Sequence, residues 1–314
     1  MTDKLYLYAN SFPSIIEASE LVKFERLVII TSNEEILKFC SRIKIEHINT
    51  GVPKDLSLKE LFRYKKSLKN QLNSIRNKKV LFCFYSFDLF GLYAIKTLSK
   101  KNKVFFNNKD KHYKKTSHLR FWKRRISVEN YLIYRLLLNI PLRQFEVTDK
   151  RTFLGVCYKK LEKNFPILIS KLKKENFLQN SVLVRKTLSI HSNSYVIVDA
   201  GNFLFTFEEE YFLWINNNLT NGEIYLKPHP NYELANYDLI DVKMIEKSIP
   251  VELILDESMT IISVQSSTLF HEFPFDISKI SLINLVKWKD EDEYDKCHER
   301  IINEKTIEVI KNEK

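Results

Sequence analysis

Short apolar runs alternate with amphipathic stretches along this chain, and the alternation predicts its architecture. Lys4–Tyr8 reads as a first strand, and a helix follows from about Pro13. The apolar run Leu27-Val28-Ile29-Ile30 reads as a strand and ends in Thr31-Ser32-Asn33, residue types that cap helices. Further strands are expected at Ile43–Ile48, Lys79–Phe84 and Val104–Phe106, with helices at about Leu56–Arg76 and Leu89–Ser99. An apolar helix over roughly Val128–Leu138 closes this half. Residues from about 150 to 190 carry no clear strand signal, are rich in Lys and Leu, and read as helical connectors. A second alternation then begins, with strands at Tyr195–Val198, Glu223–Leu226, Thr260–Val264 and Ile280–Leu285, and a helix over about Phe207–Asn216. Strand and helix repeating at this spacing predict parallel, doubly wound sheets. A length of 314 residues suits two such domains better than one. The expected division is 1–150, a connector over 151–190, and 191–314: an α/β protein of two Rossmann-type domains with a ligand cleft between them.

Composition narrows the class. Hydrophobic residues make up 44% and aromatics 13%, with only 5 Gly and 8 Pro, so the chain has material for two cores and no low-complexity character. Cys40, Cys83, Cys157 and Cys297 are far apart and form no CxxC pair, which argues against a disulfide framework or a zinc site. The start, Met1 to Tyr8, lacks the layout of a signal peptide, and no apolar run reaches the roughly 18–20 residues of a membrane span. The expected location is cytoplasmic.

The net charge of +11 calls for an anionic partner. Between Lys96 and Arg125 a dozen Lys and Arg face the single acid Asp110. A solvated basic face is the plain reading; peripheral contact of residues 96–125 with an anionic inner membrane, or with an acidic acceptor, is the functional one. The sequence has no zinc finger and no RNP-type aromatic motif, so nucleic acid is not expected as a partner.

Two segments carry chemistry. Lys227-Pro228-His229-Pro230 closes a strand with one imidazole held between two prolines, each fixing its own φ and restricting the residue before it. His229 there can donate to a phosphate, and Lys227 adds charge. Ser266-Ser267-Thr268 follows the strand over Thr260–Val264 and leads toward Leu269-Phe270. Hydroxyls and backbone N–H groups at a helix start are expected to form an anion site. About one βα unit separates the two segments, so they can converge on one phosphate or diphosphate.

A strand ending in Lys-Pro-His-Pro, followed by a strand ending in Ser-Ser-Thr, resembles bacterial GT-B sialyltransferases, the lipooligosaccharide sialyltransferases and polysialyltransferases. The resemblance is best over about residues 195–285. It implies a GT-B-like fold and an inverting, metal-independent glycosyltransferase that moves sialic acid, or a related nonulosonate, from a CMP-sugar to a capsule or lipooligosaccharide glycan. It implies that His229 contacts the phosphate and that Pro230, Ser266 and Ser267 hold the CMP portion, beside which the charge of Lys227 and the hydroxyl of Thr268 are expected from the residues themselves; no cofactor beyond the donor is expected. These families carry an acidic pair and a glycine after the strand matching Val104–Phe106, where the first acid is the general base. Here that place holds Asn107-Asn108-Lys109-Asp110, so Asp110 is the expected base and His112 the other candidate. Asp199-Ala200-Gly201 superficially resembles the missing motif, and Gly201 is expected to line the nucleotide cleft. Two other readings stay open: a CDP-polyol phosphotransferase of teichoic-acid type, and a catalytically silent binding protein.

Overall fold

The computed structural model describes residues 4–52, 57–83, 89–107, 145–146, 155–156, 174–201, 204–229 and 237–311. The chain divides into two units, Met1–Asn176 and Phe177–Lys314.

In the first unit, β1 (Leu5–Tyr8), β2 (Leu27–Thr31), β3 (Glu46–Asn49), β4 (Lys79–Cys83) and β5 (Lys103–Asn107) form one parallel sheet in the order β3-β2-β1-β4-β5. β2 is buried along its whole length, as a strand covered on both faces must be. Three helices between strands supply that cover: α1 (Phe12–Leu21), α2 (Glu34–Ile43) and α3 (Leu58–Ser74); α4 (Leu89–Leu98) joins β4 to β5. In α2 the side chains of Ile36, Phe39, Cys40 and Ile43 recur at helical spacing and are all buried. Asn33 caps its start, its Oδ1 accepting from the N–H groups of Glu35 and Ile36 at 2.9 and 3.3 Å. Ile43 completes that helical stripe, so the strand expected from Ile43 begins instead at Glu46. Cys40 and Cys83 are buried, and burial pushes the Cys40 thiol up to about 12 and the Cys83 thiol well above its usual value. A two-strand antiparallel pair, β6 (Phe145–Glu146) and β7 (Gly155–Val156), is also described in this unit. The helix expected over Val128–Leu138 lies outside the described residues.

The second unit begins within α5 (Lys174–Leu188), a helix in line with the helical reading of that stretch. Its six-stranded parallel sheet contains β8 (Tyr195–Val198), β10 (Ile224–Lys227), β11 (Lys243–Met244), β12 (Thr260–Ser263), β13 (Ser278–Ser281) and β15 (Glu308–Val309). A small antiparallel pair, β9 (Phe205–Phe207) with β14 (Val286–Trp288), lies beside it, and the helices are α6 (Glu209–Asn218) and α7 (Glu291–Ile302). The sheet order is β11-β10-β8-β12-β13-β15. Numbered along the chain, its strands read 3-2-1-4-5-6, the order of a Rossmann fold, and the first sheet reads 3-2-1-4-5 in the same way. The α/β class with two Rossmann-type sheets is therefore as expected.

Boundaries differ in instructive ways. The strand expected over Ile280–Leu285 is β13 followed by a 3₁₀ turn, Ile283–Leu285, because Leu282 and Leu285 turn into the core around Tyr211, Phe212 and Ile215 instead of extending the ladder. The helix expected from Phe207 starts at Glu209, since Phe207 pairs with Val286 in β9. No helix of the described residues is long and apolar enough to cross a membrane.

Candidate functional site

In an open α/β sheet ligands bind beyond the carboxyl ends of the strands, where the strand order reverses. In the second unit that point lies between β8 and β12, with β10 alongside. Residues after these three strands carry the motifs singled out from the sequence.

Beyond β8, the backbone N–H of Asp199 donates to the carbonyl of Lys227 at 3.0 Å and prolongs the ladder by one residue. Its side chain then closes a tight turn, Oδ1 accepting from the Gly201 N–H at 3.0 Å. Gly201 has φ +76°, a conformation that glycine adopts without steric cost. Asp199 is 2% exposed and close enough to the buried phenols of Tyr211 and Tyr237, whose hydroxyls lie 3.4 Å apart, for its charge to act on them. Burial raises the pKa of both phenols, and the charge of Asp199 adds to the effect.

At the end of β10, Lys227 is buried, and its ammonium donates to the carbonyls of Pro228 at 3.0 Å and Lys247 at 3.2 Å. It therefore acts on the site as a fixed charge. His229 is half-buried. Partial burial lowers its pKa; Asp199 opposes the shift, and Lys227 and Lys247 reinforce it. A ring held below 6.5 is neutral at pH 7.5 and gains its proton as the pH falls, whereas a bound anion favours the protonated form. The affinity for a phosphate placed against His229 is thus expected to rise between pH 7.5 and 5.5, and with CMP as the probe the rise should be larger in the wild type than in His229→Gln. Comparing the two by calorimetry cancels the titration of CMP itself; parallel pH profiles would remove His229 from the phosphate contact.

Beyond β12, the expected α-helix is a single 3₁₀ turn, Ser267–Phe270. Four residues sum too few peptide dipoles for the helix-terminus anion site anticipated from the sequence. The hydroxyls serve different ends: Ser266 Oγ caps the turn by accepting from the Thr268 N–H at 3.3 Å, while Ser267 is exposed. Thr268 is buried and its hydroxyl donates to Glu252 Oε1 at 3.1 Å. Glu252, unremarked in the sequence, lies close enough to Lys227 to feel its charge. Burial raises the Glu252 pKa; the Thr268 bond and Lys227 work against that shift. Glu252 thus bonds to the Ser-Ser-Thr segment within the field of Lys227, while the Lys247 carbonyl accepts from the Lys227 ammonium.

Asp110, His112 and Pro230 lie outside the described residues. The described end of β5 is Asn107. Glu17 of α1, another carboxylate that the sequence reading passed over, is buried and close to the Cys83 thiol at the carboxyl end of β4. Asp290-Glu291-Asp292 has an Asp-x-Asp spacing that could hold a divalent cation, but Asp290 is the N-cap of α7, its Oδ1 accepting from Glu293 N–H at 3.2 Å. The acids of that first turn complement the helix dipole.

No protein family and no curated protein matches this chain. Among solved structures it is similar to the α/β-galactoside α-2,3-sialyltransferase of Photobacterium phosphoreum, at 15% identity and a TM-score of 0.41, over 98% of this chain and 97% of that one. It is also similar to UDP-GlcNAc 2-epimerase of Neisseria meningitidis bound to UDP-GlcNAc, at 14% identity and a TM-score of 0.42, over 99% of this chain and 88% of that one. Likeness at this level carries no argument about substrate or reaction, so the functional reading rests on the site.

Proposed function

We propose that the second unit binds the nucleotide of an activated sugar and that the chain is a glycosyltransferase. In the specific form of this reading, it transfers sialic acid or a related nonulosonate from a CMP-sugar to a cell-surface glycan, with inversion and without a metal. The observation that carries it is the assembly of Asp199, Lys227, His229 and the Ser266–Thr268 turn at adjoining strand ends beside the order reversal, with Glu252 bonded to Thr268 within the field of Lys227.

In this reading the acceptor hydroxyl attacks the anomeric carbon while a base takes its proton, and the bond to the CMP phosphate breaks. Charge developing on that phosphate is met by His229, which donates a hydrogen bond, and by the fixed ammonium of Lys227. Ser266, Ser267 and Gly201 line the nucleotide in the same proposal, with Pro230 continuing the His-Pro turn. Asp110 is proposed as the base, with His112 as the other candidate. One observation favours a second reading: Asn107-Asn108 stands where the resembling families carry acids, and an amide is no base. A CDP-polyol phosphotransferase would account for the same His-Pro and Ser-Ser segments.

Melting the protein with CMP, CDP, UDP and GDP tests the donor class. Stabilisation confined to cytidine nucleotides is the expected result. Stabilisation by UDP or GDP alone, or by none of the four, overturns the cytidine reading. Product formation from CMP-sialic acid against CDP-glycerol then separates the two chemistries.

A further inference from the structure

The opposite end of the first sheet carries a second concentration of charge. β1, β4 and β5 are parallel and in register, Leu5 beside Lys79 and Lys79 beside Lys103, so their amino ends form one edge. A depression of about 1010 Å³ opens there, lined by Lys4, Lys78, Lys79, Lys100, Lys101 and Lys103 with Tyr6 and, among the described residues, no acidic side chain. Lys4 is paired to Glu46. The two loops carrying the other lysines are locked together. Asn102 accepts from the Lys78 N–H at 3.0 Å and donates to the carbonyls of Ile75 and Leu98 at 2.9 and 3.0 Å. Asn77 N–H donates to Lys101 O at 2.8 Å and Lys103 N–H to Lys78 O at 2.9 Å. The lysines are therefore presented from a fixed backbone, and little order has to be imposed on it when an anion binds.

The charge continues beyond the depression. From Lys65 to Lys103 the sequence has ten Lys and Arg and one acid, Asp88. Lys96 of α4 has its pKa lowered by burial and then by the neighbouring charges of Lys100 and Lys65, so α3, α4 and the loop after α4 share one cationic surface. On α3, Lys59, Phe62, Lys66 and Lys69 fall three or four residues apart and are exposed, Phe62 by 53%. An exposed aromatic within a lysine stripe fits an interface with an apolar layer beneath its charge.

We infer that this edge, the Lys78–Lys79 and Lys100–Lys103 loops together with the outer stripe of α3, docks the protein on an anionic lipid surface. The inference goes beyond the proposed transfer reaction and uses none of its residues. A broad lysine surface matches a field of headgroups, to which each lysine contributes as a point charge. Among the described residues the depression offers one aromatic ring and no arginine, a poor match for stacked bases or for bidentate readout of phosphates.

Sedimentation with vesicles of phosphatidylcholine, with and without phosphatidylglycerol, tests the inference on the whole chain. Binding is expected only to the anionic vesicles and should fall as salt is raised. The pair Lys78→Glu and Lys101→Glu should weaken it by about tenfold or more. Lys287→Glu with Lys305→Glu, the same change in net charge on exposed sites of the second unit, should leave most of it intact. Phe62→Ser should weaken vesicle binding and leave binding to heparin unchanged. Equal loss from both charge pairs, absence of vesicle binding, or binding to duplex nucleic acid in preference to vesicles overturns the inference. The salt titration of the wild type reads the same attraction independently of any variant. Nucleotide stabilisation should survive in the Lys78 and Lys101 variant, so failure here and failure of the transferase reading are separately visible.

Discussion

His229→Ala is expected to abolish most of the thermal stabilisation that a cytidine nucleotide gives the wild type, while leaving the melting of the unliganded protein close to unchanged. The second half follows from position. His229 is half-buried beyond the last residue of β10, so truncation removes little packing from the core. The first half follows from the chemistry proposed for the ring. A hydrogen bond to a charged phosphate contributes about 1.5–3 kcal/mol, roughly ten- to a hundredfold in affinity. At a ligand concentration about 100 times the dissociation constant, binding stabilises the folded state by about 2.7 kcal/mol, and a hundredfold weaker complex leaves about 0.4 kcal/mol. For a unit of this size that is a loss of several degrees in melting shift, on the order of 3 °C per kcal/mol. His229→Gln, which keeps a donor, should retain part of the shift. An unaltered CMP shift in His229→Ala would place the phosphate elsewhere and leave the Lys-Pro-His segment as a rigid turn.

Arg185→Ala should produce the largest loss of stability of any single change considered for the second unit, about 3–5 kcal/mol, because it strands a buried carboxylate. Arg185 of α5 and Asp256 are each 8% exposed. The guanidinium reaches Asp256 Oδ2 at 3.0 Å and donates to the carbonyl of Ile254 at 3.2 Å. Asp256 also accepts from Ser192 Oγ at 3.0 Å, and from the N–H and hydroxyl of Ser258 at 2.9 and 2.6 Å. Burial alone would raise the Asp256 carboxyl, but the Ser258 bonds, the Arg185 charge and the Ser192 bond outweigh it and hold it below the usual 3.8. A carboxyl depressed by folding contributes stability that is present above its unfolded pKa and lost as the pH falls through the folded one. The wild type should therefore lose this contribution only below about pH 4, while Arg185→Ala should already melt early at pH 7. Equilibrium denaturation at pH 7 checks the magnitude, and a change below about 1 kcal/mol would show that water replaces the guanidinium. Lys296 and Glu293 form an exposed pair one helical turn apart, and removing that lysine should change the melting little.

The strands that carry the site were legible in the chain. β8, β10 and β12 are compact apolar runs because a central parallel strand is covered on both faces. The polar residues at and after their ends fall at one edge of the sheet simply because the strands run parallel, so the sequence alone assigns Asp199, Lys227, His229 and Ser266 to that edge. Cap chemistry was legible too: Asn33 opens α2 where the sequence signalled a helix start. Weak edge strands were not. β11 has both residues exposed and β15 has only two, so neither presents an apolar period to read.

Partner choice was decided only by the tertiary structure. Glu252 looks like any surface glutamate in the sequence, and only the packing of two 3₁₀ turns brings it to Thr268 and within reach of the Lys227 charge. Arg185 and Asp256 become a pair in the same way, through closure of a fold across which they are far apart in the chain. The Ser-Ser-Thr turn also stops after four residues for a tertiary reason: Thr268 and Leu269 are drawn into the core, and the backbone leaves the turn at His271 in an extended conformation. Local sequence encodes burial period and capping because those act within a few residues, whereas the protonation and orientation of the site's side chains depend on neighbours that only the closed fold supplies.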